Sequence, residues 1–234
     1  YELVRAQMNG LEFDLRVLQP WARDPAYYQT VWTEMSDTPE HEGPAHHGLV
    51  ELWMYSFPLS CIDEYKLARA LRVVPPLLAQ ARGNLTGNAR DLWLTGIGTM
   101  QGQVESLDDL AGRTRSSGAE LRRSIADARK ATVEFVAWLQ ARAPAKTGPS
   151  GIGKEAYNWN LRHVHLVPMT WDDEVMLLKR ELARAHTSLK LEEQRNRGLP
   201  QLTAASSPEE WDRRANAAVT RYLAWLKSQD ILRV

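Results

Sequence analysis

Two short runs carry residue types that could do chemistry. In His41-Glu42-Gly43-Pro44-Ala45-His46-His47, three imidazoles and a carboxylate fall within one short stretch. A zinc-peptidase helix needs two histidines four residues apart with a glutamate between them, so that both rings face one side. Here His46 and His47 follow His41 at spacings of five and six, and Pro44 intervenes. Proline inside a helix removes a hydrogen bond and clashes one turn back, so this run reads as a solvated acidic-histidine loop. The second run, Gly148–Lys154 (GPSGIGK), has the Gly-x-x-x-x-Gly-Lys spacing of a phosphate-binding loop. Glu155 stands where a Ser or Thr hydroxyl should reach magnesium, and its carboxylate would oppose bound phosphates. The preceding LQARAPAKT ends a helix instead of forming a buried strand, and no strand ending in an acidic residue follows. Nucleotide binding is therefore not expected. The run reads as a flexible loop feeding a helix at Lys154, with backbone N–H groups able to accept a substrate carboxylate. Two aromatics follow it directly, so Gly153, Lys154, Tyr157 and Trp159 are the candidate substrate-binding residues.

Other reactive types give less. His163 and His165, two apart, read as one partly buried and one exposed ring, and His186 as a surface or interface residue. Neither a Ser-x-x-Lys nor a Gly-x-Ser-x-Gly motif occurs, so no catalytic residue is assigned. Arg195 and Arg197 in KLEEQRNRG read as a solvated helix end, with a peptide carboxylate as the alternative. Core packing is the default for the nine tryptophans, and a substrate-gripping cleft is the alternative. Cys61, the only cysteine, excludes an intrachain disulfide and a cysteine-based zinc site. No metal ligand is assigned.

The 234 residues suffice for a sizeable core, and the hydrophobic (44%) and charged (25%) fractions are those of an ordinary globular chain. Lys plus Arg (29) equals Asp plus Glu (29), which argues against a nucleic-acid or anionic-membrane surface as the main function. No apolar run is long enough to span a membrane. The chain opens at Tyr1 inside an apparent helix and shows no signal peptide. The cytoplasm is favoured, with a secreted or lipoprotein form left open.

The elements that must position these groups read as an all-α chain of about eight helices, three of them longer than about 18 residues. Tyr1–Leu18 is amphipathic. Residues 20–58 are proline-interrupted, with a short helix expected at Pro25–Met35 and a strand at 49–55. Ser60 with Asp63 and Ser117 with Glu120 have capping-box spacing. Pro75-Pro76 marks a kink or a fresh helix, and Asn88–Ala111 is helical but weakened by Gly96, Gly98 and Gly102. Ala119–Ala143 carries the stripe Leu121, Ile125, Ala128, Thr132, Phe135, Leu139. Residues 144–153 read as a surface loop that could join subdivisions 1–143 and 154–234. Thr170 caps a long helix with the stripe Val175, Leu178, Leu182, Ala185, Leu189, where Leu182 is expected in a core. Ser207-Pro208-Glu209-Glu210 starts a last helix lined by Trp211, Ala215, Ala218, Tyr222 and Trp225.

The Gly151–Pro200 block, with Gly-Lys-Glu-x-Tyr at 153–157, Leu-Val-Pro at 166–168, Thr170-Trp171 and Arg-Glu-Leu-Ala-Arg-Ala at 180–185, closely resembles a bacterial family known only as domain-of-unknown-function family 885. Pro75–Leu85 (PPLLAQARGNL) resembles a second block of that family, in the same order and at about the same spacing. The resemblance runs from about Leu59 to the end. It implies a helical, two-walled zinc metallopeptidase-like fold, in which this chain is the amino-terminal lobe and a downstream His-Glu motif carries the zinc. On that expectation the chain alone holds no zinc and is inactive, the full-length parent holds zinc, and its partners are the missing carboxy-terminal lobe and a peptide substrate. A non-catalytic helical binding or scaffold module is the alternative.

Overall fold

The computed structural model describes residues 1–34, 50–200 and 203–231, and they are mostly helical. The His41–His47 run lies outside the described residues. The chain packs as two compact units, Tyr1–Glu174 and Val175–Val234. That boundary falls inside a helix, while the 144–153 segment lies within the first unit.

The first unit is built around α5 (Arg90–Arg113) and α6 (Ala119–Arg142), which pack against each other, with α3 (Cys61–Leu71) and α4 (Val74–Asn84) laid on α6. All six stripe residues of α6 are buried. On the facing helix Trp93 is fully buried, and its indole N–H donates to the Leu139 carbonyl at 3.0 Å. Pro75-Pro76 begin the fresh helix α4, where the missing N–H groups cost nothing.

Among the described residues four helices exceed 18 residues, one more than expected: α5 and α6 with 24 each, α8 (Trp171–Asn196) with 26 and α9 (Pro208–Ser228) with 21. The glycines do not break α5, and one of them fits it to its neighbour. A Cβ on Gly96 would stand 2.7 Å from the Pro25 side chain, so only glycine allows the turn at Pro25–Tyr28 to pack there. That turn is a 3₁₀ turn capped by Asp24, shorter than the helix expected at Pro25–Met35.

Of the strand expected at 49–55, the described residues form β2 (Val50–Glu51), which pairs in parallel with β1 (Val31–Trp32), and Leu52–Met54 continues as a 3₁₀ turn. Buried Gln103 of α5 holds this pair to the bundle. Its Oε1 accepts from the Thr30 and Val31 N–H groups at 2.8 and 3.0 Å, and its Nε2 donates to Thr132 Oγ1 at 3.2 Å. Buried backbone donors need such partners.

The Ser117–Glu120 capping box does not form. Gly118 is the N-cap of α6, and the Glu64 carboxylate of α3 accepts from its N–H at 2.9 Å. Bonds from the Gly118 N–H and then the Ser117 hydroxyl hold the Glu64 carboxyl below its usual range. Glu120 turns instead to Arg72. A tertiary acceptor has displaced the local one.

In the second unit, α9 starts as its sequence dictates: Ser207 Oγ accepts from the Glu210 N–H at 3.2 Å. Yet neither α8 nor α9 buries a residue, and Leu182 is 56% exposed. The expectation of a core there is corrected: the stripe exists, but its three leucines, Leu178, Leu182 and Leu189, are exposed. Trp211, Tyr222 and Trp225 are likewise exposed. No helix among the described residues is long and apolar enough to cross a membrane.

Candidate functional site

The loop before the candidate residues is a clasp. Ser150 Oγ accepts from the Asp91 and Leu92 N–H groups at 2.7 and 3.2 Å, giving α5 the side-chain cap that Ala89 cannot supply. Asn88 Oδ1 accepts from the N–H groups of Thr147 and Gly148, and the Gly148 carbonyl accepts from Arg90. A Cβ on Gly148 would fall 2.1 Å from the Asn88 carbonyl oxygen, so this close crossing requires glycine. Lys146 donates to the Gly87 carbonyl and lies 4.0 Å over the Trp93 ring; burial, then Arg142, pulls its pKa down. These bonds fix the run resembling a phosphate-binding loop at its first residue and its third. The segment before it is a helix and a 3₁₀ turn, not a strand.

Gly153 then turns the chain with φ +82°, a left-handed value that suits glycine, and α7 (Lys154–His163) begins. Its two faces separate the candidate residues. Lys154 and Tyr157 face the first turn of α8. The Lys154 ammonium lies 2.9 Å from Asp172 and 3.7 Å over the Trp171 ring. The Tyr157 hydroxyl donates to Glu174 Oε2 at 2.7 Å, and this bond, followed by burial and the Glu174 charge, raises its pKa. Asn158 Oδ1 accepts from the Trp171 N–H at 2.7 Å. A reciprocal Thr170–Asp173 box starts α8, holding the Asp173 carboxyl below its usual range through the Thr170 hydroxyl and then its N–H.

Trp159 faces the other way, toward α1 (Glu2–Phe13). Its ring stacks on Phe13 with centroids 5.7 Å apart and planes 5° apart, and it tilts against His163 at 5.1 Å. Asn9 Nδ2 donates to the His163 carbonyl at 2.9 Å. His163 is half-buried, while His165 and His186 are exposed. The four candidates therefore do not converge on one point. Gly153 shapes the turn, Lys154 and Tyr157 are already paired with carboxylates, and Trp159 is 39% exposed beside a different helix.

Sequence reasoning passed over the pairing of Lys154 with Asp172 and of Tyr157 with Glu174, because nothing in a linear spacing of 17 or 18 residues marks a pair. It also passed over Phe13. Arg195 pairs with Glu192 at 2.5 Å, one turn back on its own helix. Among the described residues, no three His, Cys, Asp or Glu side chains stand close enough to hold a metal ion.

Comparison with protein-family models, with curated proteins and with solved structures finds no match.

Proposed function

We propose that this chain is the amino-terminal, cleft-wall lobe of a zinc-dependent peptidase-like hydrolase with a two-walled helical fold. The observation that carries the reading is the meeting of two motifs separated in sequence. The Gly-Lys-Glu-x-Tyr run and the Thr-Trp run touch through Lys154 on Trp171 and Asp172, and through Asn158 on the Trp171 N–H. A shared structural role explains why both occur in the resemblance. The zinc ligands and the glutamate base are assigned to the complementary lobe. Zinc, when bound there, would polarise the scissile carbonyl and activate water. This chain's own residues would orient: an exposed ammonium at Lys154 for a peptide carboxylate, and a hydroxyl fixed by Glu174 at Tyr157.

The competing reading is a non-catalytic helical binding module, and the exposed apolar stripes of α8 and α9 favour it. A longer reading frame containing this chain separates the two. Expressed whole, it should hydrolyse small peptides and lose that activity to a chelator. Lys154→Ala and Tyr157→Phe should each lower kcat/KM by about tenfold or more, through misplaced substrate. Lys130→Ala, on an exposed side chain of α6, should leave it unchanged. Chelator-resistant turnover, or no turnover and no His-Glu motif in the longer protein, removes the peptidase reading.

A further inference from the structure

The other face of α7 holds a cavity of about 300 Å³, lined by Glu12, Phe13, Arg16, Val17, Ala156 and Trp159. It opens where α1 passes into the π-helical turn Asp14–Leu18, a widening often found at functional sites. The turn closes with the Gln19 N–H donating to the Asp14 carbonyl at 2.9 Å, and Gln19 itself is left-handed at φ 41° and ψ 53°. Left-handed backbone is strained for a residue other than glycine.

We infer that this cavity receives the aromatic side chain of a peptide. Its volume lies at the bottom of the range for small-ligand sites, about 300–1,000 Å³, so it suits one ring and not an extended ligand. One wall is aromatic: Trp159 stacks on the buried Phe13 ring and keeps 39% of its own surface uncovered, against which a further ring can pack. Val17 and Ala156 contribute only small apolar groups, and any longer side chain at position 156 would occupy the space. The rim carries an exposed Glu12–Arg16 pair at 2.7 Å, with an acceptor and donors for the amides on either side of an inserted residue. Such an exposed pair is held weakly and can exchange partners. The inference takes the word "peptide" from the hydrolase reading. The cavity itself belongs to this chain and requires no zinc.

The test uses the 234-residue chain and N-acetyl-phenylalanine amide, followed by nuclear magnetic resonance titration. The probe should bind about tenfold tighter than N-acetyl-alanine amide and than phenol. Ala156→Leu should weaken it about tenfold by filling the cavity, and Trp159→Ala should weaken it similarly by removing the wall. Lys130→Ala, on an exposed side chain of α6, should leave it unchanged. If Trp159→Ala disturbs the packing of α1, Ala156→Leu decides. Equal binding of the alanine probe, undiminished binding to Ala156→Leu, or no binding of the phenylalanine probe overturns the inference. Phenol binding as tightly as the amide overturns its peptide part. Because no metal is added, these outcomes are independent of whether the longer protein hydrolyses peptides.

Discussion

Helices α6 and α8 carry the same kind of apolar stripe and meet opposite fates. On α6, Leu121, Ile125, Ala128, Thr132, Phe135 and Leu139 recur at steps of four and three, and all are buried beneath α3, α4 and α5. On α8, Val175, Leu178, Leu182, Ala185 and Leu189 recur at the same steps, yet Leu178, Leu182 and Leu189 are exposed. Helical periodicity defines a face that gains from leaving water. It does not say which surface covers that face. In this chain α3, α4 and α5 cover the six-residue stripe of α6, while the three leucines of the α8 stripe stay exposed.

The sharpest break of this comparison is a pair of truncations. Phe135→Ala should destabilise the first unit by about 3–5 kcal/mol, because a fully buried ring leaves a cavity. Leu182→Ala should change the stability of the isolated chain by less than about 0.5 kcal/mol, as an exposed substitution does. Denaturant melts of the two variants measure both. A large loss from Leu182→Ala would mean that the α8 face is covered in solution.

A smaller effect should come from the polar link inside the bundle. Gln103→Leu leaves the Thr30 and Val31 N–H groups without their acceptor and should cost about 3 kcal/mol. Hydrogen exchange at those two amides should accelerate more than exchange in α6. An unchanged melt would show that another acceptor replaces Gln103.

The smallest expected effect is local to α9. The Ser206 hydroxyl, then the Ser206 N–H and Arg214, hold the Glu210 carboxyl down to about 2. A lowered carboxyl pKa means that its contribution is complete above the ordinary value of 4.5 and is lost as pH falls toward about 2. A carbon resonance titration of Glu210 should show that low midpoint, and Ser206→Ala should move it back up. The α6 amides should not respond to the same substitution, since the contact is confined to one helix start.

What could be read from the sequence was whatever a few consecutive residues decide. Ser60, Thr170 and Ser207 cap their helices because a hydroxyl three residues before an N–H finds it without help from the rest of the chain. The α6 stripe and the non-helical 146–153 segment follow from the same local rules. Of the candidate site, Gly153 was legible as a turn and Tyr157 and Trp159 as aromatics on α7, but not their division between two faces with different partners.

Only the tertiary structure decided the rest, and in each case the deciding partner is remote. Glu64 took the cap that Ser117 and Glu120 could have made for themselves. Gly96, a weakness by helix propensity, proved necessary where Pro25 presses on α5. The Gly-Pro-Ser run, flexible by composition, became a clasp once Ser150 and Gly148 met the start of α5. Of the tryptophans, Trp93 is fully buried while Trp159, Trp211 and Trp225 remain exposed. Local sequence determined where helices start and which face is apolar, because those terms depend on neighbours within a turn or two. Burial depends on surfaces brought together from far along the chain, so the fate of each face and the pairing of each charge were settled only by packing.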